Sequence, residues 1–263
     1  MPLPKSPAAT DASPVTSWRP AAEQVIEAGR DGFARAYVAA ARGARRLARA
    51  SGLIAALDRR RHRRFPLFLR SLFAVHDIDE LDRLDLPWWT FGAIERVDAF
   101  LREREGAARA FEWGAGASTL WLSRRCREVV SVEHDAPWWP PLATRLAAVP
   151  NVRASLVEPR AAAAPECPSG RAGWSGVEFA PYVHAIRDAG GPFDLIVIDG
   201  RARAACLGEA VHHLAPGGLI VFDNTHRRRY EPAIARCGLR VERIGGFAPA
   251  VPWPSQTALL SRT

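Results

Sequence analysis

The chain has 263 residues, 48% of them hydrophobic and 24% charged, a size and balance that suit one α/β domain with an extension better than two full domains. No apolar run approaches the roughly 20 residues of a membrane-spanning helix. Residues 1–20 lack the apolar core of a secretory signal, and Cys126, Cys167, Cys206 and Cys237 are widely spaced with no C-x-x-C pair. These features argue against a membrane span, a disulfide framework and a cysteine zinc site, and they leave the cytoplasm as the expected location. The net charge of +8 suggests nucleic acid until it is located. Residues 1–66 hold 13 Lys+Arg against 5 Asp+Glu, whereas the remainder holds 23 of each and is neutral. The core therefore has no excess positive charge for tracking phosphates, which makes nucleic acid an unlikely partner for it.

Residues 1–20 are rich in Pro, Ser, Ala and Thr and read as disordered. Residues 21–85 read as a basic helical extension, with Phe33/Tyr37 and Leu53/Leu57 spaced i, i+4 and glycines that divide the helix. The run Arg59-Arg60-Arg61-His62-Arg63-Arg64 is either a solvated helix end or a contact for an anionic membrane surface, nucleic acid or an acidic protein partner. A new segment opens at Leu86-Pro87-Trp88-Trp89, so residues 86–263 form the expected ligand-binding domain. A helix is expected over 91–104. Strands at 110–113, 128–133, 152–157, 194–199, 218–223, 239–244 and 256–261 then alternate with helices near 118–126, 136–147, 203–214 and 229–237. Near-continuous apolar strands such as Leu195-Ile196-Val197-Ile198 require a sheet covered on both faces. The alternation predicts a doubly wound, Rossmann-like, mostly parallel sheet.

Such sheets bind ligands beyond the carboxyl ends of their strands, and acids gather at four of those ends: Glu112, Glu133, Asp199 and Asp223. The first strand runs into Phe111-Glu112-Trp113-Gly114-Ala115-Gly116-Ala117-Ser118-Thr119, a glycine turn opening a helix. Gly114 and Gly116 permit a sharp turn and close approach. The sixth position of the loop is Thr119, where a dinucleotide loop wants Gly or Ala, and Glu112 would oppose a pyrophosphate. A cationic sulfonium ligand suits it better, with its ammonium facing an acid and its carboxylate facing backbone N–H groups or the Ser118 and Thr119 hydroxyls. Ser118 also reads as a helix N-cap. Glu133, 17 residues after Gly116 at the end of the second strand, can accept hydrogen bonds from both ribose hydroxyls.

This loop, together with Val129-Val130-Ser131-Val132-Glu133-His134-Asp135, Ile198-Asp199-Gly200-Arg201-Ala202-Arg203 and Pro216–Asn224, resembles the class I S-adenosylmethionine-dependent methyltransferases over roughly residues 86–263. The resemblance implies a seven-stranded sheet with a terminal antiparallel strand, S-adenosyl-L-methionine as cofactor, Glu112, Gly114, Gly116 and Ser118 at its methionine end, and Glu133 on the ribose. Asp199 is a further cofactor candidate. Glu158 is a weak candidate for the adenine.

Asp199, Asp223 and Asn224, at the ends of neighbouring strands, offer two carboxylates and an amide oxygen to Mg²⁺, similar to the metal positions of catechol O-methyltransferase-type enzymes. The alternative is that Asp199 supports cofactor or substrate without metal and Asp223-Asn224 makes a turn. Arg201, Arg203 and Arg227-Arg228-Arg229 depart from a simple catechol site. The last three either grip an anionic substrate such as a uronate or phosphate, or are surface charge. Asp199 and His226 are the candidate catalytic groups, His226 being either a general base or a solvent contact. Trp88, Trp89, Trp138 and Trp139 read as packing anchors or as a stacking surface. The expected activity is O-methylation of a small-molecule or sugar hydroxyl. The competing reading is a non-catalytic adenosyl-binding scaffold acting through its basic extension.

Overall fold

The structure, a computed structural model, describes residues 40–262 apart from 42, 76 and 172. The segment expected to be disordered, 1–20, and the first part of the expected helical extension, 21–39, lie outside the described residues.

Among the described residues, 43–50 are helical, and α1 (Leu53–Asp58), α2 (Arg64–Ser71), α3 (Ile78–Leu84) and α4 (Phe91–Arg102) follow before the sheet. Asp77 caps α3 by accepting the Glu80 N–H at 3.0 Å, satisfying one of the orphan amides of the first turn. The chain then alternates: β1 (Arg109–Trp113), α5 (Ala117–Ser123), β2 (Glu128–Glu133), α6 (Trp139–Leu146), β3 (Val152–Leu156), a short ribbon of β4 (Arg160–Ala161) and β5 (Val177–Glu178), α7 (Ala180–His184), β6 (Phe193–Ile198), α8 (Arg203–His213), β7 (Leu214–Asp223), α9 (Glu231–Arg236), β8 (Arg240–Phe247) and β9 (Pro254–Ser261). The main sheet has seven strands in the order β3-β2-β1-β6-β7-β9-β8. Its first five strands run parallel, and β9 is antiparallel to both β7 and β8.

Alternation of side chains across the pleat divides the core. Ala110, Leu195, Val197 and Val221 face one cluster with α4, while Phe111, Trp113, Ile196, Ile198 and Phe222 face the other with α8. Two buried faces explain why β6 has no polar position after Asp194. β7 begins earlier than its sequence suggests. Phe193 pairs with Leu214 and Leu195 with Leu219, so Ala215–Gly218 bulge out of the ladder instead of forming the preceding loop.

The order reverses between β1 and β6, so the crevice beyond their carboxyl ends is the topological switch point. The extension does not stand apart from this frame. Ala74, Leu81 and Leu84 share a hydrophobic cluster with Val97 and Ala110. Asp82 and Asp85 pair with Arg124 at 2.6 and 2.8 Å, and Asp82 with Arg145 at 2.6 Å. Much of its basic charge is neutralised internally: Arg70, with no exposed surface, holds Asp58 at 2.7 Å and also Glu80, which Arg45 reaches at 2.8 Å. Arg59 to Arg64 remain exposed.

Candidate active site

Gly114 sits at φ 100°, and its N–H extends the β1–β2 ladder to the Val132 carbonyl at 2.8 Å. A Cβ at this position would stand 2.8 Å from the Gly200 nitrogen and 2.9 Å from the Asp199 carbonyl carbon. The glycine is therefore needed for the end of β1 to lie directly against the end of β6, rather than for a ligand. Gly116 is different: it is extended, and a Cβ there would meet nothing within 4 Å, so the loop presents an open face above it. Gly116 is also the N-cap of α5, its N–H donating to Thr119 Oγ1 at 2.9 Å.

Glu112 lies beneath the loop instead of at its mouth. Ser118 donates to its Oε1, while Thr119 and Ser131 donate to Oε2 at 2.5 and 2.8 Å, and the residue has no exposed surface. Both oxygens are engaged in holding the loop, so direct contact with a cationic ligand end is not available to them. Ser118, inside α5 with its hydroxyl turned to Glu112, is likewise not the N-cap. Burial pushes the Glu112 carboxyl up to about 7 against the pull of the three hydroxyls, with the Glu133 charge adding to the rise.

Glu133 is almost fully buried, and its Oε1 accepts the backbone N–H groups of His134 at 2.7 Å and Asp135 at 2.8 Å. Those two bonds fix the carboxylate and leave Oε2 outside them. Trp138 closes over the loop through a bond from its indole N–H to the Ala115 carbonyl at 3.1 Å, and its ring stands 6.4 Å from that of Trp88. Trp89 and Trp121 are core anchors, edge to face at 5.7 Å. Glu158 is exposed beyond β3. His212 and His213 close α8, at the opposite end of that helix from the rim.

A cavity of about 360 Å³ opens beyond β6 and β7, and Asp199, Asp223, Asn224 and His226 all line it. Trp88 and Trp253 give it two aromatic walls. Its size falls in the range of small-molecule sites. The sequence signalled the acids and the histidine. It did not signal Val75, Arg171 or Trp253, which arrive from the extension, the long insertion before β6 and the β8–β9 connection. No local pattern marks residues brought in from such distances.

Arg203 joins the two strand ends. Its guanidinium donates to the Gly200 carbonyl at 2.9 Å, the Asp223 carbonyl at 2.6 Å, the Asp199 carbonyl at 2.8 Å and Asp199 Oδ1 at 2.8 Å, and it lies 3.8 Å from Asp223 Oδ2. Burial pushes the Asp199 carboxyl up to about 7. Arg203 pulls it down, and Asp223 and Glu112 push it further up. Burial likewise raises Asp223.

This arrangement does not support the expected Mg²⁺ site. Arg203 is already the cation between Asp199 and Asp223. Asp223 Oδ1 accepts from Thr257 at 2.7 Å and Oδ2 from the Asn224 side-chain amide, while Asn224, at φ 59°, turns the chain out of β7. Among the described residues no three His, Cys, Asp or Glu side chains gather as a metal-binding group. A sulfonium cofactor fits better. The loop carries no basic side chain, its open face lies over Gly116, and Glu112, Glu133 and Asp199 surround it with carboxylates.

Residues 111–225 match the family model of a methyltransferase domain. No curated protein matches the chain. Among solved structures, the chain is similar to a precorrin-6y C5,15-methyltransferase from Geobacter metallireducens (16% identity, TM-score 0.43, covering 63% of this chain and 86% of that one). It is also similar to an rRNA methylase from Streptococcus thermophilus (12%, 0.45, 65% and 96%) and to the N-methyltransferase NodS from Bradyrhizobium japonicum (18%, 0.40, 64% and 94%). Residues 111–225 are therefore a methyltransferase domain, built on the seven-stranded sheet with antiparallel β9 that the sequence resemblance implied. The protein is an enzyme of methyl transfer, and S-adenosyl-L-methionine is its cofactor.

Proposed function

We propose that the protein methylates a hydroxyl oxygen of a small-molecule or sugar acceptor held in the cavity beyond β6 and β7. The observation that carries this reading is the convergence of Asp199, Asp223 and His226 between two tryptophan walls. The cofactor supplies an activated methyl group on a sulfonium, so that little covalent chemistry is asked of the protein. Glu133, through Oε2, accepts the ribose hydroxyls. The open face above Gly116 receives the methionine end, and Glu112 contributes a negative field from below.

Asp199 orients the acceptor hydroxyl and takes its proton as the oxygen–methyl bond forms and the sulfur–methyl bond breaks, the electron pair staying on sulfur. His226 lines the same cavity and relays that proton outward. The two tryptophans exclude water and align the acceptor, a contribution of position more than of chemistry. Residues 72–86, packed on the sheet, supply part of the cavity wall through Val75 and make the extension a structural cap. This role replaces the scaffold reading. Arg59–Arg64, exposed on that cap, are left as the surface for an anionic or acidic partner.

The test combines calorimetry with S-adenosylhomocysteine and a panel of hydroxyl, amine and carbon acceptors read by thioether release. Asp199→Asn is expected to lower kcat by about 10²–10⁴-fold and leave S-adenosylhomocysteine affinity within a few fold. In the native protein the rate rises with pH through about 7, as Asp199 loses its proton, and that limb disappears in the variant. Transfer confined to amine or carbon acceptors, or undiminished in the variant, overturns the assignment.

A further inference from the structure

A second, smaller cavity of about 140 Å³ adjoins the first. Both are lined by Arg171 and Arg227, and the smaller one adds Arg201, Arg203 and Arg229. It is less than half the roughly 300 Å³ of a small-molecule site, so it suits a chemical group rather than a whole molecule. Its floor is the start of α8, an 11-residue helix with no acidic residue in its first turn and no side-chain cap from Ala202. The first amides of a helix have no acceptor within the helix, and they present partial positive charge. The feature is thus an uncapped helix N-terminus ringed by five guanidinium groups.

The guanidinium groups there are not all held alike. Arg203 is committed to the strand ends, as described above. Arg201 is held more loosely: one terminal nitrogen donates to the Gly200 carbonyl at 3.4 Å, its buried Nε donor has no hydrogen-bond partner among the described residues, and its guanidinium stands 5.8 Å from the Trp174 ring. Burial, followed by the charges of Arg171 and Arg203, pushes Arg201 down to about 10. Burial raises the Tyr230 phenol on the same wall, but Arg203, Arg229 and Arg227 more than reverse this and lower it. Gly170 completes the wall, since a Cβ there would press on the Arg229 stem at 3.0 Å.

We propose that the methyl acceptor carries an anionic group, a phosphate, sulfate or carboxylate, that seats in this arginine-lined pocket while its hydroxyl lies in the adjoining cavity beside Asp199. The proposal rests on the acceptor reading of that cavity. An oxyanion there accepts from the Arg201 Nε and from the first α8 amides, and the planar guanidinium groups match its oxygens two at a time. Arg171 and Arg227, common to both cavities, bridge the two ends of the acceptor. A neutral analogue of the same shape leaves the buried Arg201 donor unpaired and is discriminated against on that account.

The probe is inorganic phosphate, titrated into the full chain saturated with S-adenosylhomocysteine and followed by calorimetry and by the Nε–Hε resonances of the arginines. Saturable binding with a Kd on the order of 1–10 mM is expected, with the Arg201 resonance shifting. Arg201→Gln is expected to weaken phosphate by at least about tenfold while S-adenosylhomocysteine affinity stays within about twofold. Arg229→Gln, elsewhere in the pocket lining, provides a second reading with unfolding curves as the control for folding. Absence of saturation by about 50 mM overturns the proposal. So does competition between phosphate and S-adenosylhomocysteine, or an equal loss of both in Arg201→Gln, because the pocket then serves the cofactor's own carboxylate. Failure of S-adenosylhomocysteine to bind the native chain would instead strike the cofactor pose itself, and the two failures are separate measurements.

Discussion

Beyond β1 and β2 the rim is acidic and built from one short stretch of chain; beyond β6 and β7 it is crowded with arginine and assembled from several distant ones. Glu112 is held by Ser118, Thr119 and Ser131, all from the helix and second strand of one βαβ unit. Asp199 is held by Arg203, and its cavity draws walls from the extension, the insertion and the β8–β9 connection. On the proposed reading, the half serving a constant cofactor is local, while the half serving a particular acceptor recruits side chains from across the fold. The two rims also show two ways to keep a carboxylate in the interior. Hydroxyl donors surround Glu112 and a guanidinium faces Asp199, and in both cases burial holds the carboxyl up at about 7 against that pull.

The largest effect should come from cutting the charge pair. Arg203→Met removes the guanidinium that joins Asp199 and Asp223 and should cost about 3–5 kcal/mol in urea unfolding at neutral pH. The same variant should move the Asp199-controlled limb of the pH–rate profile upward, because a pull toward ionisation is gone. A profile unmoved by the change would show that Arg203 is not the relevant counter-charge.

On the acidic side the expected signature is in pH rather than in a broken bond. Glu112 has its carboxyl at about 7 when folded, against an ordinary 4.5. The folded state therefore holds the proton more tightly across that window, and stability contributed by this group is present at low pH and lost as pH rises through about 7. The difference amounts to something on the order of 3 kcal/mol. Glu112→Gln should flatten that part of the decline in the ligand-free protein, measured as urea midpoints from pH 5 to 8. A slope identical to that of the parent would remove Glu112 from the account.

Within the loop, the two glycines should part company. Gly114→Ala forces a Cβ against the Gly200 and Asp199 backbone at a positive φ and should cost about 2–3 kcal/mol of stability. Gly116→Ala has open space and should stay within about 1 kcal/mol of the parent, yet bind S-adenosylhomocysteine more weakly because the added methyl intrudes on the ligand's side. Equal destabilisation of both would dissolve the distinction drawn between them. The smallest effect belongs to the surface: Asp82→Asn, which loosens the pairs to Arg124 and Arg145, should change stability by under about 1 kcal/mol, with little effect on methyl transfer.

The sequence by itself determined the sheet and the place of the acid–glycine loop within it. The apolar run 195–198, the acid-glycine loop and the acid at the second strand's end are signals carried by adjacent residues, and their placement follows from strand and helix geometry alone. The acids at 199 and 223 were legible for the same reason, being the last residues before or at a strand's end. Tertiary structure decided what those residues do with one another. Glu112 is turned under its loop, Gly114 answers to Gly200, and Arg203 stands where a metal was expected. Trp253, Arg171 and Val75 meet across more than a hundred residues of chain in one cavity. Spacing in sequence fixes which face of an element a side chain takes, but its partners are chosen by packing between elements, where burial makes every unpaired charge find a counterpart or lose its proton.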